Sequence, residues 1–133
     1  MRKVPILASS VLMMLSPSVL SVLSGADADP RTLKGHQGSV LSVAYAPDGK
    51  TLASCSRDKT IKMWDARTGQ LLRTLTEHTG DLYSVAFSPR GDLLASGGLD
   101  KVIQLWHTQT GKVVRTLTGH DDIVRSIAFS PDQ

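Results

Sequence analysis

Aromatic residues are scarce in this chain of 133 residues: two Phe, two Trp and two Tyr. Stacking on nucleobases needs aromatic side chains interleaved with basic ones, and no such interleaving occurs. Charge of one sign is also lacking. From Asp29 onward there are 13 basic and 11 acidic residues, spread without a run, so nothing favours nucleic acid as a partner. One cysteine, Cys55, excludes an internal disulfide, and its place in an apolar strand-like segment fits a buried small hydrophobe. Helical periodicity is missing as well: no window carries apolar residues at three- and four-residue steps. The fold must therefore be built from strands.

Residues 1–28 differ from the rest. Arg2 and Lys3 open the chain, Val4 to Leu23 carry no charge, and Ala26-Asp27-Ala28 offers a small-x-small pattern. This is the layout of a secretion signal cut after Ala28. Six serines and two prolines, Pro5 and Pro17, weaken the other reading, an uncleaved membrane-spanning segment. The expectation is a secreted or periplasmic protein, with membrane contact only through an uncleaved leader.

Beyond residue 28 the chain repeats itself. His36, His78 and His120 are 42 residues apart, as are Pro47, Pro89 and Pro131. Asp58 and Asp100 keep that step of 42, and so do Trp64 and Trp106. A fixed period near 40 marks stacked supersecondary units. Each unit reads as four strands of five to seven residues, rich in Val, Ile, Leu and Thr, separated by Pro- and Gly-containing turns. The expected strands are Arg31–Lys34, then Ser39–Tyr45, Thr51–Ser56, Thr60–Trp64 and Leu71–Leu75. A second set follows at Leu82–Phe87, Leu93–Gly97, Val102–Trp106 and Val113–Leu117, with an opening strand at Val124–Phe129.

Gly35-His36, the Ala46-Pro47 and Ser88-Pro89 turns, the Leu-Ala-Ser of the second strands, the turn aspartates and Trp64-Asp65 together resemble the WD-repeat family. The resemblance covers about Arg31 to Gln133. It departs at Glu77-His78, where Gly-His is usual, and at Trp106-His107, where Trp-Asp is usual. It implies an all-β chain of four-stranded antiparallel β-propeller blades, forming an incomplete propeller. Residues 31–34 would be the outer strand of a preceding blade, 35–76 and 77–118 two full repeats, and 119–133 the start of a third.

His, Ser, Asp and Trp recur in each unit: His36, Ser54, Asp58 and Trp64, then His78, Ser96, Asp100 and Trp106. A catalytic triad needs one constellation in one cleft, whereas a set repeated in every unit marks a structural requirement. The resemblance implies that these residues hydrogen-bond across the blade as structural tetrads. No short-spaced His or Cys pair favours a metal, no glycine loop before a helix favours a phosphate, and no cofactor is expected. The chain reads as a non-enzyme.

The family pattern further implies contact positions on one rim: Ser39, Leu41, Arg57, Asp81, Tyr83, Leu99, Ile123 and Arg125. Aliphatic, aromatic and arginine side chains anchor partners well when exposed. The expected function is a binding or scaffolding module for proteins or peptides. Two other readings stay open, the propeller portion of a larger exported enzyme and a purely structural shell protein.

The sequence stops at Ser130-Pro131-Asp132-Gln133, inside a turn. Two blades alone would leave two faces of about 320 Å² open, forfeiting on the order of 16 kcal/mol of burial. Further blades are thus expected, either downstream in a chain here truncated, the favoured reading, or from other copies in a homo-oligomer.

Overall fold

A computed structural model describes residues 13–16, 19–22 and 31–132. Eleven strands run in chain order: β1 (Met13–Ser16), β2 (Val19–Val22), β3 (Arg31–Lys34), β4 (Val40–Tyr45), β5 (Thr51–Ser56), β6 (Ile61–Asp65), β7 (Leu71–Leu75), β8 (Leu82–Phe87), β9 (Leu93–Gly98), β10 (Ile103–His107) and β11 (Val113–Leu117). They form three antiparallel sheets, β1-β2-β3, β4-β5-β6-β7 and β8-β9-β10-β11. No helix occurs among the described residues. The all-β reading holds.

The turns explain why neighbours in sequence are neighbours in the sheets. Ala46 donates to Thr51 O at 2.8 Å and Gly49 sits at φ 71°, closing the β4–β5 hairpin. Gly91 and Gly111 adopt φ 77° and 70°, a region glycine enters without steric cost. Burial then follows position in the sheet. Strand β5 is buried on nearly every residue, while the outer strands β7 and β11 are mostly exposed.

The main core lies between the two complete sheets. Cys55, Ile61, Met63 and Leu75 of one meet Leu82, Val85, Leu94 and Trp106 of the other. Cys55 is fully buried, and that burial pushes its thiol up to about 12. A second cluster joins Leu33 of β3 to Val40, Val43, Leu52 and Trp64. Polar contacts also link the sheets: Arg73 donates to Thr110 O at 2.8 Å and Gln109 O at 2.7 Å. Gly111 is required under this arginine, since a Cβ there would lie 2.5 Å from its Cδ.

Two expectations change. Within the stretch read as an export leader, β1 and β2 are strands, β2 pairing with β3 from Val19↔Lys34 to Val22↔Arg31. Val19 stands 42 residues before Ile61, the first residue of β6. A charge-free apolar run suits a leader and a strand alike, and part of this one pairs with β3. The rest of the segment, with the Ala26-Asp27-Ala28 motif, lies outside the described residues. Residues 124–129 are the second change: they form no strand, since a ladder needs a partner and they pair with no strand among the described residues.

Candidate functional site

Each complete sheet carries a buried polar relay at one end. In the first, the Trp64 indole N–H donates to Ser54 Oγ at 2.9 Å. Ser54 Oγ lies 2.8 Å from His36 Nε2, and His36 Nδ1 lies 2.8 Å from Asp58 Oδ2. With the ring neutral, one hydrogen arrangement serves the relay. A neutral His36 protonated at Nδ1 donates to Asp58, and Nε2 accepts the Ser54 hydroxyl proton. Burial lowers the His36 pKa and wins over the Asp58 hydrogen bond that opposes it, which keeps the ring neutral.

Asp58 anchors the loop before β4. Its carboxylate accepts from Gln37 N at 2.8 Å, Thr60 N at 2.9 Å and Thr60 Oγ1 at 2.6 Å. Burial pushes this carboxyl up, but the hydrogen bonds from Thr60, Gln37 and His36 outweigh it and hold the pKa at about 2. The second sheet repeats the arrangement. Trp106 donates to Ser96 at 2.8 Å, Ser96 lies 2.7 Å from His78, and His78 lies 2.7 Å from Asp100. Val102 takes the place of Thr60, so Asp100 lacks the hydroxyl contact.

Both relays have the connectivity of a Ser-His-Asp triad, which makes burial decisive. Ser54 and Ser96 are 0% exposed, and each hydroxyl oxygen is already held by an indole N–H. A nucleophile must meet a substrate carbonyl with an oxyanion hole beside it, and neither serine has an open side.

Four of the eight expected contact positions meet in pairs beside the turn aspartates of the two complete sheets. Arg57 N donates to Ser39 O at 2.9 Å and Leu99 N to Asp81 O at 2.8 Å, tying turn to loop in each sheet. Arg57 and Arg125 are exposed and Leu99 is 45% exposed, while Ser39, Leu41, Asp81, Tyr83 and Ile123 are half-buried. The Arg125 guanidinium carbon lies 5.9 Å from the centre of the Tyr83 ring, bringing two of the expected contact residues together as a cation–π pair. Lys59 and Lys101, at φ 70° and 65°, hold the adjoining turns in a conformation that non-glycine residues rarely take.

Three segments of the chain, 28–65, 69–107 and 111–133, match the family described as WD domain, G-beta repeat. The chain belongs to the WD-repeat family. Its relatives include the vegetative incompatibility protein HET-E-1 of Podospora anserina, 53% identical over 57 residues, which are 40% of this chain and 4% of that protein. A probable cytosolic iron-sulfur protein assembly protein 1 of Botryotinia fuckeliana is 58% identical over 33 residues, 25% of this chain and 8% of that one. The crystal structure of RRP9 WD40 repeats superposes with a TM-score of 0.69 at 33% identity, over 74% of this chain and 31% of the solved one. The chain therefore spans only a small part of these WD-repeat proteins.

These relatives correct the expected location. One is named as cytosolic, and another match, 51% identical over 41 residues, is a pre-mRNA-splicing factor of Yarrowia lipolytica. A secreted or periplasmic assignment does not fit proteins of the cytosol and the spliceosome. The apolar run that prompted it is in part strand, as described above.

One WD-repeat departure has a measurable effect. Asp65 Oδ1 caps its turn by accepting from Arg67 N at 2.9 Å and Thr68 N at 2.8 Å. At the matching position His107 leaves Nδ1 buried without a partner. An aspartate there would accept the same two N–H groups. His107→Asp is therefore expected to stabilise the chain by about 0.5–2 kcal/mol. A denaturant midpoint that falls or stays fixed in this variant would refute the orphaned nitrogen as a cost.

Proposed function

We propose that this WD-repeat chain is a non-catalytic protein-interaction module. Its partner is a protein or peptide that docks on the rim formed by Ser39, Leu41, Arg57, Asp81, Tyr83, Leu99, Ile123 and Arg125. The observation that carries this reading is the Tyr83–Arg125 pair, with Leu99 exposed on the turn tied to Asp81. It offers an aromatic ring, a guanidinium group and an aliphatic side chain, a composition that suits a peptide with acidic and apolar residues. In this reading the two tetrads hold the rim loops and do no chemistry. Their support is the burial of both serine hydroxyls, and the partner's identity is left to experiment.

The test compares capture of binding proteins by the unaltered chain, Tyr83→Ala, Arg125→Ala and Arg90→Ala, the last lying away from the rim. Loss of the same captured proteins in both rim variants, about tenfold or more, with Arg90→Ala unaffected, is the expected result. Equal capture by all four proteins would remove the rim from the proposal.

A further inference from the structure

A cleft of about 550 Å³ opens between the two complete sheets, at the end of the strands away from the tetrads. Its first wall is the β4–β5 turn with Met63 of β6 and Leu72 and Arg73 of β7. Its second is Phe87 of β8 with the β8–β9 and β10–β11 turns. Close contacts fix the two walls against each other. A Cβ on Gly91 would meet Pro47 at 3.2 Å, and Arg73 holds the Gln109 and Thr110 carbonyls. All the lining residues lie between 46 and 109, and neither the tetrads nor the rim uses the space.

The cleft joins an apolar floor to an uncompensated cation. Met63 pairs with Arg73 and Trp64 with Leu71, so Leu72 is an extra residue between two ladder pairs, a β-bulge. A bulge re-aims the side chain that it carries. Leu72 is 54% exposed and lines the cleft together with buried Met63 and half-buried Phe87. Arg73, next in the chain, is half-buried and gives two N–H groups to carbonyls, which leaves three of its five. The ion pairs among the described residues are those of His36 with Asp58 and His78 with Asp100, so no carboxylate pairs with Arg73. Asp48, Arg90 and Asp92 also border the cleft, but they are exposed. Each carboxylate already serves its own turn, Asp48 accepting from Lys50 N at 2.9 Å and Asp92 from Ser88 Oγ at 2.8 Å. Water and salt screen exposed charges, whereas the half-buried guanidinium is screened less.

We propose that this cleft is a second docking site, for an extended segment of a partner protein in which an acidic residue stands beside a large aliphatic one. The partner's carboxylate meets the free N–H groups of Arg73, and its aliphatic side chain packs among Leu72, Met63 and Phe87. A small-molecule site encloses most of its ligand, whereas exposed residues such as Pro47, Leu72 and Gln109 line this one, so a protein segment is the occupant that fits. Tyr83 stands near the start of β8 and Phe87 at its end, so the cleft and the rim are separate surfaces.

The probes are octapeptides selected from a random displayed library on the full 133-residue chain, then synthesised and titrated against it. Peptides carrying Asp or Glu beside Leu, Ile, Val or Met are expected among them, and Leu72→Asp should weaken their binding at least about tenfold. Leu72 is exposed on its bulge, so this variant should keep the denaturant midpoint of the unaltered chain. Changing the peptide's acidic residue to its amide should cost at least about tenfold on the unaltered chain and little on Arg73→Gln. Should Arg73→Gln fail to fold, the amide peptides on the unaltered chain and Leu72→Asp decide. A library yielding no peptide sensitive to Leu72→Asp overturns the proposal, as do sensitive peptides that tolerate loss of their carboxylate. Displacement of the peptides by hexanoate at equal concentration would give the cleft to a small acid and overturn it too. Peptides that respond to Tyr83→Ala and not to Leu72→Asp would overturn the cleft and leave the rim reading standing.

Discussion

Ser54→Ala is expected to destabilise the chain by about 2–6 kcal/mol, far more than the loss of one surface hydroxyl. The hydroxyl is the node of the relay: it accepts the Trp64 N–H at 2.9 Å and meets His36 Nε2 at 2.8 Å, and all three residues are at most 2% exposed. Removing it leaves a buried donor and a buried acceptor with no replacement, and each orphaned group costs about 1–3 kcal/mol. A typical domain has about 5–15 kcal/mol in total, so the variant should unfold at a much lower denaturant concentration. Ser96→Ala tests the same logic in the second sheet. Ser54→Thr keeps the hydroxyl and should lose less. A shift in midpoint worth under about 0.5 kcal/mol for Ser54→Ala would mean that water replaces the hydroxyl and that the relay does not hold the sheet.

The strands were legible because local chemistry and the 42-residue step agree. β-Branched segments lie between Pro/Gly turns, and β3, β5, β7, β8 and β11 fall on the expected residues. Boundaries elsewhere differ by a residue: β6 runs Ile61–Asp65 and β10 Ile103–His107, because each first residue follows directly on the turn that its aspartate holds. The tetrad members were legible because His, Ser, Asp and Trp keep their spacing in both units and the family resemblance links them. Thr60 was not. It donates to Asp58 at 2.6 Å, yet its counterpart Val102 differs, so recurrence carries no signal for it. Arg73 was missed for a different reason. Arg31, Arg73 and Arg115 share the step, but an exposed arginine in an outer strand reads as solvated until the Gln109 and Thr110 carbonyls are seen beneath it.

Composition and periodicity left the most open at the two ends. The N-terminal run was read for what its composition permits, and uncharged Leu, Val and Ser permit a leader and a strand alike. The ladder from Val19 to Val22 shows that part of the run is strand. Val124–Phe129 has the right residues for a strand, but a strand is a property of two segments, and sequence periodicity describes one. Among the rim residues, exposure of Leu99 and the meeting of Tyr83 with Arg125 depend on β8 and residues 124–127 lying side by side, 42 positions apart.

Acid should unfold this chain in two stages. His36 is held neutral when folded, its pKa lowered by burial, whereas in the unfolded chain it takes up a proton near 6.5. The unfolded state then binds more protons, so stability present above pH 6.5 is lost as the pH falls below it. Asp58 has the same sign at lower pH. Its folded pKa is about 2 against 3.8 unfolded, so its contribution is complete above 3.8 and disappears as the pH falls toward 2. Partial solvent access reduces the Asp58 contribution to about 1–2 kcal/mol. Asp65, Asp92 and Asp132 are also lowered, and their exposure makes that portion sensitive to salt, whereas the Asp58 portion is screened less. Urea midpoints measured from pH 8 to pH 2 in about 0.5 M salt should therefore fall in two steps. In Asp58→Asn, less stable at pH 7, the lower step should shrink while the upper one, due to His36, persists. An unchanged lower step would show that Asp58 is not what acid attacks, and would shift the acid sensitivity to the exposed carboxylates of the turns.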